Sequence, residues 1–146
     1  LSSDETKIRW QLEAIEEAFN EESARRLIAP LADDFRDENH NLIRQQIATA
    51  FLAFTRKQRT ASGDFPFRCD LDESSLSLEI DAGSPATARV SVSATFFRRG
   101  EKDGGSAAST EKELGRLDFR STWIFEDDEW KISSSRYEVS SGKRPF

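Results

Sequence analysis

The sequence predicts an α+β fold, with three N-terminal helices packed on a strongly curved antiparallel β-sheet. Three observations support this. Apolar residues recur at helical spacing three times before Lys57. From Phe65 onward the pattern changes to period-2 alternation. The last third, Leu114 to Val139, reads as a β-hairpin rich in aromatic residues.

The helices come first. Ser2-x-x-Glu5 is a capping-box pattern, and Ile8, Leu12, Ile15 and Phe19 form an apolar stripe from about Asp4 to Asn20. Glu13, Glu16 and Glu17 are expected in solvent, while Trp10 and Ala14 lie off the stripe and suggest a second contact surface or a broader buried face. Ser23 caps a shorter second helix carrying Leu27, Ile28 and Leu31. Pro30 kinks or ends it, because proline lacks an N–H and crowds the preceding turn. Asp33 to His40 reads as a polar connector anchored by Phe35, and a third helix follows from about Asn41 to Lys57, with Ile43, Ile47, Phe51 and Phe54 on one face. Residues 57–64, with Ser62-Gly63, read as a loop.

In the β region the apolar register is odd over Phe65, Phe67, Cys69 and Leu71 and even over Leu76, Leu78 and Ile80. A one-residue phase change marks a bulge, which gives one long strand bent near Asp72 to Ser75, with a separate tight hairpin as the alternative. Ala82 to Pro85 is a turn, and Ala86 to Phe96 is a strand that alternates small apolar with polar residues. Gly100 to Thr110 reads as a long mobile loop, and the chain after Val139 as a short, basic, frayed tail. In the terminal hairpin, a two-residue turn at Asp127-Asp128 sets Phe125 opposite Trp130 and Trp123 opposite Ile132. The same register sets Ser121 opposite Ser134 and Phe119 opposite Arg136. These pairs share one face, aromatic near the turn and polar at its far end.

Composition narrows the function classes. A chain of 146 residues fits one domain, residues 1–146, with a sizeable core to which eleven Phe and three Trp contribute. No apolar run approaches the roughly 20 residues of a membrane span, so the chain reads as soluble with no membrane partner. A formal charge of −6 argues against nucleic acid, which requires a basic footprint. Five arginines, Arg68, Arg98, Arg99, Arg116 and Arg136, gather at the long-loop end, but neighbouring acidic residues offset them. One cysteine, Cys69, and one histidine, His40, exclude an internal disulfide and a Cys/His-rich metal site, and no cofactor is expected. The chain starts at Leu1 and contains no Met, which is read as trimming or processing; export is an expectation that no visible leader supports.

Several local patterns resemble the nuclear transport factor 2-like superfamily, the cystatin-like α+β roll shared with ketosteroid isomerase and the polyketide cyclase-like (SnoaL-like) proteins. They are the helix pair joined by Asn20-Glu21-Glu22 and ending Leu31-Ala32-Asp33-Asp34-Phe35, then Arg44-Gln45-Gln46-Ile47 opening the third helix. The hairpin segments Phe119 to Trp123 and Glu129 to Ile132 complete the set. The resemblance implies the fold and a pocket between helices and sheet. It implies no activity, because the family hosts enzymes, binding modules and assembly domains. In an approximate match, the isomerase's general-base aspartate falls at Asn39 and its oxyanion-donating tyrosine near Ala14. Neither residue type does that chemistry.

The hairpin face is the candidate ligand site. Trp123, Trp130 and Phe119 supply apolar wall, Ser121, Ser134 and Arg136 supply polar groups, and Ala88 and Ala94 leave room. Arg136 suits a carboxylate or other anion; the competing reading has it snorkel out to Glu13 or Glu17. Asp34, Asp37 and His40 are the candidate catalytic groups. Against them stands a capping role for Glu38 to Asn41 on the third helix, and for Asp33-Asp34 a turn or arginine-pairing role. The opposite face collects Thr87, Ser91, Ser93, Thr95, Arg120, Thr122, Ser133, Ser135 and Tyr137, a hydrated surface or a homodimer interface of the kind the family often forms. The leading expectation is a non-catalytic roll that binds a small anionic or aromatic ligand. The alternatives are a lyase, isomerase or hydrolase, and an interaction domain.

Overall fold

The N-terminal helix is the chain's most regular local signal, and the computed structural model, which describes residues 3–100 and 111–142, has it where the spacing predicts. Helix α1 spans Asp4–Asn20 and buries Ile8, Leu12, Ala18 and Phe19. Its cap is Ser3, whose hydroxyl accepts the Thr6 N–H at 3.2 Å; the predicted cap, Ser2, lies outside the described residues. Trp10 and Ala14 are exposed, so neither joins the core. Helix α2 spans Ala24–Ile28, capped by Ser23 through the Arg26 N–H.

Past Pro30 the chain enters the sheet. Leu31–Asp37 form strand β1, where the sequence predicts a polar connector. A register irregularity between Leu31 and Arg36 breaks the alternation, so buried Phe35 and Asp37 are separated from buried Leu31 and Ala32 by the exposed pair Asp33-Asp34. That irregularity hides the strand. Helix α3 spans Arg44–Lys57 and starts later than predicted. The N–H of Ile43, at its N-terminal boundary, is served by Gln46, whose side-chain oxygen accepts it at 2.9 Å. Glu38 to Asn41 therefore do not cap it.

The sheet is completed by β2 (Phe67–Asp81), β3 (Thr87–Arg99), β4 (Glu111–Glu126) and β5 (Glu129–Gly142). Its order is β1-β5-β4-β3-β2, with β1 parallel to β5 and every other pair antiparallel. The sheet is thus mixed, not purely antiparallel, and it is open. Strand β2 is one long strand with its bulge between Asp72 and Ser77, as the phase change predicts. The loop expected from Gly100 lies outside the described residues beyond Gly100 itself. Strand β5 continues past Val139 to Gly142, and the tail after that lies outside the described residues. Gly142 has φ 68°, and a Cβ there would sit 2.2 Å from the Leu114 carbonyl oxygen, so only glycine fits.

Two apolar clusters hold helices and sheet together. One surrounds Ile8, Trp123 and Trp130 near the hairpin turn. The other is aromatic: Phe19 lies 5.5 Å from Phe51, 5.7 Å from Phe65 and 5.5 Å from Phe96, in tilted and edge-to-face contacts that aromatic quadrupoles favour.

Side chains bind the backbone at both sides of the sheet. On β2, Asn20 donates to the Cys69 carbonyl and accepts the Cys69 N–H, and the Glu16 carboxylate accepts the Leu71 N–H at 2.6 Å. Beyond β1, Asn39 does the same for Tyr137. Backbone groups occupied in this way are closed to further strand pairing.

Candidate functional site

The hairpin turn folds as its residues dictate. Asp127 and Asp128 have φ 51° and 64°, and positive φ at both central positions matches the right-handed twist of the flanking strands. Phe125 faces Trp130 and Trp123 faces Ile132, as predicted. The next pair departs from prediction. Thr122 faces Ser134, Ser121 faces Ser135, Arg120 faces Arg136 and Phe119 faces Tyr137. Ser133 is the extra residue of a β-bulge, and its hydroxyl donates to the Thr122 carbonyl at 3.0 Å. Ser140 plays the same part at a second bulge, donating to the Arg116 carbonyl at 3.0 Å.

One inserted residue reverses the parity of everything that follows. Ser134 and Arg136 therefore lie on the sheet face away from the helices, and Ser135 and Tyr137 turn toward them, which corrects the predicted face for all four. The swap leaves a guanidinium in water and brings inside a side chain whose polar tip finds a partner there, the favourable choice given the cost of burying an unpaired charge.

Between helices and sheet lies a cavity of about 350 Å³. Phe19, Phe51, Phe54, Phe119 and Val92 are among the apolar residues of its wall, and the small Ala94 lines it on β3. Of the predicted ligand-binding residues, Phe119 and Ser121 line this cavity. Trp123 and Trp130 are core: both are buried, the Trp123 indole N–H donates to the Ser121 hydroxyl at 2.8 Å, and that of Trp130 donates to Asp4 at 3.0 Å. Of the predicted catalytic residues, Asp37 and His40 line the cavity, while Asp34 is exposed on β1 and does not. Ala14 and Asn39, the approximate isomerase matches, are not among the lining residues.

Asp37, His40 and Tyr137 gather where β1 ends, while Glu16 meets β2 and Ser121 bonds Trp123. The Asp37 carboxylate, buried to 6% exposure, accepts the His40 N–H at 2.9 Å and the Asn39 N–H at 3.3 Å, so it holds the turn that presents His40. Asn39 then binds the Tyr137 backbone twice, at 2.8 and 2.9 Å. His40 Nε2 lies 3.1 Å from the Tyr137 hydroxyl. Glu16, Asp37 and His40 are the ionisable side chains of the lining apart from the Tyr137 phenol and the Cys69 thiol, and no arginine or lysine is among them. Burial pushes the Cys69 thiol up to about 12, so it stays protonated and is not a nucleophile at neutral pH. Among the described residues no cluster of His, Cys, Asp and Glu forms a metal site.

Sequence reasoning puts Tyr137 and Ser135 on the wrong face, and the signal that could have found them is the serine run Ser133-Ser134-Ser135. Short hydroxyl side chains that can bond the opposite carbonyl are what a bulge accommodates.

An open sheet packed against three helices, with an apolar cavity between them, is the architecture of the cystatin-like fold. Solved structures agree. A nuclear transport factor 2-like protein with a cystatin-like fold from Novosphingobium aromaticivorans superposes with a TM-score of 0.71 at 15% identity, covering 96% of this chain and 84% of that one. Aln2 from a Streptomyces species gives 0.70 at 13% identity, covering 95% and 94%. A protein of unknown function with a cystatin-like fold from Nostoc punctiforme gives 0.67 at 13%, covering 96% and 94%. Identities this low establish the fold and no chemistry. No known family pattern matches the sequence, and no curated protein matches it. Among the described residues no helix is long and apolar enough to cross a membrane.

Proposed function

We propose that the helix-side cavity binds a small, largely apolar molecule whose neutral polar end meets His40 and Tyr137. The observation that carries this is the lining itself: a mostly apolar wall of aromatic and aliphatic side chains, with Asp37, His40 and Tyr137 brought together where β1 ends. A volume of about 350 Å³ falls in the range of ligand pockets. The ligand's anionic character, expected from an inward-facing Arg136, loses its support, since the lining holds the carboxyl groups of Glu16 and Asp37 and no arginine or lysine.

The matched pair 2-naphthol and 2-naphthoate tests this by fluorescence titration. Naphthol is expected to bind at least tenfold more tightly. Ala50 sits at the cavity rim on α3, and Ala50→Trp should block binding without touching the core. Equal or tighter binding of naphthoate, or binding unaffected by Ala50→Trp, would overturn the proposal.

The His40–Tyr137 contact favours a second reading, in which His40 Nε2 takes a proton from carbon and the Tyr137 hydroxyl donates to the enolate oxygen that forms. Bound 2-tetralone in D2O should then exchange its α-hydrogens faster than in buffer, and His40→Gln should stop the exchange while binding persists. No exchange above buffer removes this reading and leaves the binding proposal standing.

A further inference from the structure

The face of the sheet turned away from the helices carries a second depression, a polar groove of about 530 Å³. Arg120, Arg136, Ser91, Thr122 and Ser134 line it, together with Glu38 and the pair Arg89–Glu79. Arg89 is committed, its Nη2 lying 2.6 Å from Glu79. Arg120 and Arg136 are not. They face each other directly across β4 and β5, and neither side chain makes a hydrogen bond or ion pair with any described residue.

Like charges directly opposite on neighbouring strands repel, and native sheets normally pair such positions with opposite charge. Three other arginines of this sheet, Arg68, Arg89 and Arg116, find carboxylates. Arg68 is bound by Glu111, with its pKa raised by that hydrogen bond and a second to Asp70, and Arg116 is bound by Asp72. The Arg120–Arg136 pair departs from this. Two guanidinium forks flanked by the hydroxyls of Ser91, Thr122 and Ser134 offer what an oxyanion accepts: charge, and planar donors able to bind two oxygens at once. Glu38, on the groove wall, sets a limit by disfavouring ligands with further negative charge beyond the bound group.

We propose that Arg120 and Arg136 form a binding site for a small oxyanion, a carboxylate or phosphate group, on the outer face of the sheet, separate from the helix-side cavity. The bulge at Ser133 creates it, because with Ser133 in regular register Arg136 would pair with Phe119 and face the helices, and Arg120 would pair with Ser135.

The experiment is NMR titration of the full chain with inorganic phosphate and with acetate at constant ionic strength, using chloride as the reference. The Arg120 and Arg136 side-chain Nε–H signals and the amides around them should shift saturably with at least one of the two anions. The anion that binds more tightly identifies the group. Arg120→Gln and Arg136→Gln should each weaken binding at least tenfold, and both variants should fold, since each removes repulsion. Arg9→Gln, far away on α1 in an ion pair with Glu5, should change nothing. Linear, chloride-like shifts with both anions overturn the proposal, as does saturable binding that survives both substitutions. Light scattering adds a further check: a dimer that forms without added anion and that phosphate does not disturb would mean a second chain covers the groove, and would also overturn it.

Discussion

Asn39→Ala removes two hydrogen bonds that tie the turn after β1 to the backbone of Tyr137, one donated by the Tyr137 N–H at 2.8 Å and one accepted by its carbonyl at 2.9 Å. Each such bond contributes a net of about 0.5–1.5 kcal/mol, so full loss of both amounts to about 1–3 kcal/mol. Asn39 is exposed and Tyr137 half-buried, so water replaces part of the loss and the expected cost falls in the lower half, about 1–2 kcal/mol. For a domain of this size that corresponds to a fall in Tm of about 2–8 °C. Urea denaturation followed by tryptophan fluorescence measures it. Asn39→Asp, which keeps the acceptor for the Tyr137 N–H and loses the donor, should cost about half as much. Because the same turn holds His40 against Tyr137, 2-naphthol affinity should fall with stability in Asn39→Ala. A change within about 0.5 kcal/mol, the range of inert surface substitutions, would refute the idea that this contact seats β1 and the cavity mouth.

Two further outcomes follow from single contacts. Ser121→Ala strands the indole N–H of fully buried Trp123 and should destabilise by about 1–3 kcal/mol, and in a double-mutant cycle with Trp123→Phe the combined cost should be less than the sum; strict additivity would contradict the hydrogen bond. The Asp72 carboxyl is held below the usual carboxylate range, first by the Ser74 hydroxyl and then by Arg116. A depressed carboxylate adds stability above its unfolded value, near pH 4, and loses it as pH falls through the folded value, so Asp72→Asn should flatten the loss of stability below about pH 4, and an unchanged acid limb would count against the assignment.

Much of the fold is legible because it is written in local periodicity. The stripe Ile8, Leu12, Phe19 needs only a 3.6-residue repeat to be seen, and α1 occupies the predicted span. The phase change between Leu71 and Leu76 announces the bulge in β2, and Asp127-Asp128 announces a two-residue turn. Strand β1 is not legible, because its irregular register against β5 removes the alternation that marks a strand. The candidate site is legible only in part. Phe119 and Ser121 precede the hairpin's bulge on the predicted face, and Asp37 and His40 reach the cavity because β1 ends beside β5.

The sequence by itself determined most of the segments that become helix or strand, where the hairpin turns and that a Phe-rich core holds it. Each of these depends on neighbours a few residues away. Only the tertiary structure decided which side of β5 faces the helices after Ser133. Both parities satisfy the local hydrogen bonds; they differ in whether Arg136 or Tyr137 is turned toward helices that lie far away along the chain. That choice separated one anticipated pocket into two surfaces, an apolar cavity lined in part by His40 and Tyr137 and an outer groove holding Arg120 and Arg136.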